Sequence, residues 1–248
     1  MGLKESGLRG SLRNVSVGID AIPDGSLYYF GSSYESGDDI WLDQNDRVDM
    51  SLTGDETATD VNGDEAVRFD GDSDHGIIEL PSDFEGQDLN EVSIEIAVAF
   101  EHTSEDFMFG VSNRDENEQR IGLQLNRDEN FDSDNGNFYF QLRDELENRL
   151  RFSPETNPEI NDGSRHDITI IVEDAENNDA SIIIDGSEIN ISFGSQDSPN
   201  DFGEWLLDFA LSALNEVDQG VVDNSEQDVI GLGIVPSALD EQKISGLI

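Results

Sequence analysis

Three aspartates alternate in Asp70-Gly71-Asp72-Ser73-Asp74, and Asp132 and Asp134 repeat the spacing in Asp132-Ser133-Asp134-Asn135-Gly136. Carboxylates two apart in a turn can face one cation, and Ca²⁺ takes about six to eight hard oxygens. Both turns are candidate calcium sites, the first ahead of the second. Neither meets the EF-hand spacing, because Gly76 falls one place late and position 81 is Pro81, not glutamate. With 57 acidic residues in the chain, chance pairs of carboxylates are expected throughout.

Other reactive groups are sparse. His75, His102 and His166 do not cluster, and there is no Gly-x-Ser-x-Gly elbow or phosphate-binding glycine loop. The chain has no cysteine, which excludes disulfides and thiolate metal sites. Sugar binding uses aromatic faces at loop tips. Trp41, Tyr34 and Phe131 stand in polar stretches and are the candidates, with core packing as the competing fate of each.

The elements that would carry these residues read as strands. Val67-Arg68-Phe69 runs into the acidic turn, Gly76 to Leu80 returns, and Val92 to Phe100 alternates with apolar residues on the even positions. Period-two alternation between Gly, Pro, Asp and Ser signals half-buried antiparallel strands. Further strands are expected at Ser26–Phe30, Ile40–Asp43, Val48–Thr53, Asp228–Ile234, and in two hairpins, Asp106–Val111 with Ile121–Leu125 and Phe138–Leu142 with Arg149–Phe152. Asp185-Gly186 between apolar runs favours a two-residue turn. Residues 202–217 fit either an amphipathic helix or a strand at Leu207–Leu214, and the strand is preferred.

The charge is extreme: 57 Asp plus Glu against 13 Lys plus Arg, a formal net of −44, with Lys4 and Lys243 the two lysines. Hydrophobic residues still make up 35% of the chain and recur at strand period, so a folded core is expected rather than disorder. An acid excess with scarce lysine suits a halophilic protein. At about 1 M salt the Debye length is about 3 Å, so carboxylates repel weakly. Such a surface disfavours nucleic acid as a partner. The first 25 residues differ, holding Lys4, Arg9 and Arg13 with few acids. They read as an arm that docks on a partner through Arg9 and Arg13, followed by one domain over residues 26–248. The start lacks an apolar leader core and a twin-arginine pair, so neither export nor membrane insertion is expected.

From Leu27 to Ile244 the layout resembles a laminin-G-like (concanavalin A-like) domain. An aromatic strand leads through an Asp- and Asn-rich stretch to a strand ending in Thr53-Gly54. Phe69-Asp70-Gly71, Asp162-Gly163-Ser164-Arg165-His166 and Asp185-Gly186 then follow in the family's order. Arg165 stands where that family has tryptophan. The resemblance implies an all-β sandwich of two antiparallel sheets, and it strengthens the calcium reading, since such domains hold Ca²⁺ in a rim of loop oxygens. Glycoside hydrolases on this fold carry a carboxylate trio on one strand face, with nucleophile and general acid about 5 Å apart. The comparable strand, Ser93 to Glu101, lacks the trio, and Glu95 reads as an outward residue between Ile94 and Ile96. No catalytic residue is assigned, and a non-enzymatic role is expected.

The Gly-Leu-Arg-Gly-Ser-Leu-Arg arm on such a body resembles structural proteins of haloarchaeal tailed viruses. That implies a capsid decoration, turret or tail fibre made in the host cytoplasm. It would be homo-oligomeric, bound to other virion proteins, and recognise host-surface glycan or stabilise the shell. The alternative is a secreted or cell-surface carbohydrate-active protein. The charge gives a direct expectation: dialysis to about 0.1 M salt, where the Debye length is about 10 Å, unfolds the domain. Circular dichroism follows this, and an unchanged spectrum would contradict the halophilic reading.

Overall fold

The computed structural model describes residues 25–79, 90–113, 119–130, 132–144, 148–194, 208–216 and 220–239. Arg9, Arg13 and the rest of the expected arm up to residue 24, together with Phe131, lie outside these. In chain order the strands are β1 (Leu27–Phe30), β2 (Ile40–Trp41), β3 (Met50–Thr53), β4 (Thr57–Val61), β5 (Asp64–Asp70), β6 (His75–Ile78) and β7 (Val92–Ala99). Then come β8 (Phe107–Asn113), β9 (Gln119–Arg127), β10 (Ser133–Arg143), β11 (Arg149–Pro154), β12 (His166–Asp174), β13 (Asp179–Ile184) and β14 (Ser187–Ile189). The last are β15 (Ile191–Phe193), β16 (Phe209–Leu211), β17 (Leu214–Glu216), β18 (Gly220–Val222) and β19 (Glu226–Val235).

They form the expected two-sheet β-sandwich. Among the described residues one sheet has eight strands in the order β14-β13-β12-β7-β19-β5-β4, with β1 also on β19. The other has eleven, with the path β15-β11-β10-β9-β8-β16-β6-β3-β2, β17 beside β8 and β18 beside β17. The pairings are antiparallel except β17 with β8. Both expected hairpins form. Residues 202–207 and 217 of the ambiguous segment lie outside the described residues, and within 208–216 the strand reading holds as β16 and β17, with Ser212 between them at positive φ. Asp185-Gly186 makes its tight turn with φ of 51° and 74°. A second such turn, Asn62-Gly63 with φ of 56° and 104°, joins β4 to β5.

One apolar cluster fills the space between the sheets. Ile94, Ile96 and Val98 of β7, Ile168 and Ile170 of β12 and Leu232 and Ile234 of β19 meet Phe109, Leu123, Phe138, Phe140 and Phe152 from the other sheet. Each such side chain stabilises the fold by about 1.5–3 kcal/mol. The alternation along β7 predicts this face correctly but not the opposite one. Every residue of β7 is buried, Ser93, Glu95, Ala97 and Ala99 included. The reason is a second layer. Tyr28, Ile171, Ile183, Val235 and Leu239 make a smaller cluster on the far side of the eight-stranded sheet. The chain after β19 is strapped there, with the Ser93 hydroxyl donating to Ser237 O at 2.9 Å and accepting from Leu239 N–H at 3.0 Å.

Glu95 is therefore not outward. It is 3% exposed, and its Oε2 accepts from the Tyr28 hydroxyl at 3.0 Å. The Tyr28 ring packs against Gly233 of β19, where a methyl group would stand 2.5 Å from it. Burial pushes the Glu95 carboxyl up from 4.5 to about 7, against the lowering effect of the Tyr28 bond, with Asp167 adding to the rise. The folded chain thus keeps this proton where the unfolded chain has lost it. Stability is highest below about pH 4.5 as far as this group is concerned, and it falls by roughly 3 kcal/mol as pH rises through 7. Glu95→Gln keeps an acceptor for Tyr28 without the charge. In urea titrations at constant high salt the variant should exceed the parent by about 2 kcal/mol at pH 8 and show no gain near pH 4.

Candidate functional site

Trp41 is fully buried, its indole N–H donating to Phe30 O at 2.8 Å, and Tyr34 is 6% exposed with its hydroxyl on Glu56 O at 3.0 Å. These rings pack against each other at 6.5 Å and offer no face to a sugar, which corrects the glycan assignment for both. The polar stretch around them is a clamp for β1. Asp43 accepts from Tyr28 N–H at 2.8 Å and Arg47 N–H at 2.9 Å, and the Tyr29 hydroxyl reaches Val48 O at 2.6 Å.

Backbone amides occupy Asp70 and Asp74 of the first aspartate turn, and asparagine side chains occupy Asp134 of the second. Asp74, 2% exposed, accepts from Asp55 N–H at 2.9 Å and Asp70 N–H at 3.1 Å, while Asp70 accepts from Asp72 N–H at 2.8 Å. Asp134 is held by Asn157 at 2.7 Å and Asn137 at 3.4 Å, and Asp132 N–H donates to Asp128 at 3.0 Å. Among the described residues no three His, Asp or Glu side chains converge to hold a metal ion.

A cleft of about 380 Å³ lies elsewhere, at the end of the eight-stranded sheet. It is lined by Arg68, Ala99, Phe100, Glu101, His102, Gly163, Glu226, Gln227 and Asp228. Its floor follows from register: Arg68 of β5, Asp228 of β19 and Ala99 of β7 are direct cross-strand neighbours. They point away from the main core, because Val67, Phe69 and Val229 point into it. Arg68 and Asp228 form a two-point pair, Nε to Oδ1 and Nη2 to Oδ2, both 2.7 Å. This bonding raises the Arg68 guanidinium above its ordinary value. Arg68 stays half exposed while Asp228 is mostly covered.

The wall after β7 is fixed by Gly163 N–H donating to Phe100 O at 2.9 Å. The loop that carries Gly163 is tied down next to it. Arg165 bridges Asp167 at 2.8 Å and Asp64 at 2.9 Å, and the His166 ring faces Asp185 at 3.0 Å and Asp162 at 3.2 Å. Gln227 links the floor to the other sheet through Met108 O at 3.2 Å and the Ser212 hydroxyl at 2.8 Å.

His102 packs on Phe100, ring centroids 5.3 Å apart, and lies 3.9 Å from Asp106. Burial lowers its basicity, outweighing the attraction of Asp106 and Glu226. The cleft therefore sets one arginine against Glu101, Glu226 and Asp228, beside a histidine that resists protonation. Such a surface favours hydroxyl-rich or cationic groups over anions. Sequence reading passed over these residues because they come from four separate segments. Arg68 inside the Phe-Asp-Gly strand was the available signal, a cation in a chain that has few.

No protein-family model and no curated protein matches this sequence. Solved structures do. The binding domain of Paraclostridial Mosquitocidal Protein 1 superposes with TM-score 0.62 at 14% identity, over 88% of this chain and 50% of that one. The Botulinum Neurotoxin serotype G binding domain gives 0.59 at 12%, over 90% and 49%. Trypanosoma rangeli sialidase in complex with 2,3-difluorosialic acid gives 0.58 at 13%, over 89% and 32%. The chain thus spans half or less of the length of these proteins. The likeness establishes the fold, a β-sandwich.

The depressed basicity of His102 has a readable consequence. The folded chain takes up this proton less readily than the unfolded one, so stability falls as pH drops below the ordinary imidazole value of about 6.5. In an NMR titration the His102 ring should titrate below that value, and His102→Gln should lose less stability between pH 7 and pH 5 than the parent.

Proposed function

We propose that the chain is a non-enzymatic binding module that holds a neutral, hydroxyl-rich ligand, a glycan, in the cleft floored by Arg68, Asp228 and Ala99. The observation that carries this reading is the two-point Arg68–Asp228 pair at the cleft, its guanidinium half exposed among further carboxylates. A guanidinium fork and carboxylate oxygens offer donors and acceptors in fixed directions, which is what paired sugar hydroxyls require. The excess of carboxylates disfavours acidic sugars there. Both oxygens of Asp228 are engaged by Arg68, which argues against its acting as nucleophile or general acid. The likeness to toxin binding domains is in keeping with recognition rather than turnover, although fold alone decides neither.

The finer part of the reading is a virion protein of a haloarchaeal virus, assembled as a homo-oligomer through residues 1–25. Its support is the charge of −44 beside a locally basic arm. Mass spectrometry of purified halophilic virus particles tests it directly, and absence of the chain from particles would shift weight to a cell-surface protein. For the module itself, titration of neutral oligosaccharides in high salt should show binding that weakens about tenfold or more in Arg68→Ala, the loss of a charge-assisted contact. No binding of any neutral glycan would overturn the reading, and release of reducing sugar would overturn its non-enzymatic part.

A further inference from the structure

Strand β2 ends the path of the eleven-stranded sheet. Among the described residues Ile40 and Leu42 are the large hydrophobic side chains left open to water, 49% and 51% exposed. Trp41 between them is fully buried, and the residues in register with it, Met50 of β3 and Ile78 of β6, lie in the core. Ile40 and Leu42 therefore share the outward side. There register sets Ile40 opposite the exposed Ser51, and Ser51 opposite the half-buried Ile77. Singly exposed apolar residues are ordinary, but an apolar pair on a sheet edge is a pairing hazard unless something covers it.

The surroundings select the cover. Glu35, Asp38 and Asp39 before the pair and Asp46 and Asp49 after it are exposed, and Arg47 is the one base between residues 31 and 56. Residues 6–19 have the opposite character. They hold Arg9 and Arg13, no acid, and the apolar Leu8, Leu12, Val15, Val17 and Ile19. From Arg13 to Ile19 the odd positions read Arg, Val, Val, Ile and the even ones Asn, Ser, Gly, a pattern that gives an extended chain one apolar side. The chain also enters the body beside the pair. Gly25 O accepts from the Arg47 guanidinium, Ser26 O from the Asn45 side chain at 2.9 Å, and Tyr28 O from Gln44 N–H at 2.8 Å. Residues 25–30 thus run alongside 42–47 in the opposite direction, which puts Gly25 roughly 17 Å from Leu42. The six steps from Ile19 to Gly25 span up to about 20 Å, enough to close that distance.

We propose that residues 8–19 dock on the Ile40–Leu42 face of their own chain, with Val17 and Ile19 against the two apolar side chains and Arg9 and Arg13 towards Glu35, Asp38 and Asp39. The two-residue step from Ile40 to Leu42 matches that from Val17 to Ile19, about 6.7 Å in extended chain. A short tether holds the segment at a millimolar effective concentration, about a thousandfold above that of a second copy at micromolar concentration, so a second copy competes poorly. The proposal rests on neither the cleft nor the virion reading. Assembly through the same residues would exchange this contact between neighbours and keep the receiving face.

The chain has no cysteine, so an introduced pair reports the contact without background. The full chain carrying Val17→Cys and Ser51→Cys is oxidised mildly at micromolar concentration in high salt, and the disulfide is mapped by mass spectrometry. Cysteine keeps a small apolar side chain at position 17. The bond should form within one chain, about tenfold or more faster than in a control pair of Val17→Cys with Ser187→Cys, an exposed position on β14 of the other sheet. Adding Ile40→Thr and Leu42→Thr should slow it about tenfold, with circular dichroism unchanged, through loss of the apolar contact. Equal rates for the two pairs, or a rate indifferent to the Thr substitutions, would overturn the proposal. A bond that forms only between chains, when the two single-Cys variants are mixed, would make a second copy the occupant and would overturn it too.

Discussion

The sandwich depends on the pairing of β7 with β19. From Asp228 to Val235 β19 bonds to β7, and on its other edge it is shared between β5 at one end and β1 at the other. The first described strand and the last are thereby locked into the same sheet. Because both faces of this pair are buried, its sequence has to serve two cores. A slip of one residue would turn Glu95 and Ser93 into the main core and Ile94 and Ile96 out of it, so the register is strongly specified. The polar residues on the far face are tolerated because each has a hydrogen-bonding partner there. Ser93 holds the strap after β19, and Glu95 receives the Tyr28 hydroxyl.

The cleft is a consequence of an irregularity in that pairing. Val229 faces Val98 and Gly231 faces Ala97, so Ile230 is the extra residue of a β-bulge. Bulges re-aim side chains and let both halves of a strand keep their apolar residues inward. Here Val229 and Leu232 both reach the main core, while Ile230 packs outward on Val61, Ala66, Ala97 and Ala99. Beyond the bulge, Asp228 lands outward, opposite Arg68. The geometry that makes the polar floor is therefore the same that keeps the core continuous.

Much of the fold could be read in the sequence, because it is written in short-range signals. The β7 alternation, the two hairpins and the Asp185-Gly186 turn all form as the pattern requires. The hairpin of β4 and β5 was missed although Asn62-Gly63 announces it, since Thr57–Val61 is polar and sits at a sheet edge where alternation is weak. The site was far less legible. Period-two alternation reports which residues share a face, not whether that face meets water, and the second layer over β7 comes from β1 and the segment after β19, distant in sequence. Trp41 and Tyr34 looked like loop-tip aromatics because acidic neighbours surround them, yet both rings turn inward, with Trp41 donating to Phe30 O and Tyr34 to the distant Glu56 O.

In a chain this acidic, a carboxylate carries little information about its own position. The Asp70–Asp74 turn shows why. Its spacing suits a cation, but the same spacing lets a carboxylate cap a nearby amide, and Asp70 and Asp74 do that. Any Asp in a tight turn has that option, and this chain has many such turns. Arginine has the opposite status. With so few, each must be placed where a guanidinium does something that solvent and salt cannot. Arg165 joins two loops at the rim, and Arg68 completes the floor of the cleft.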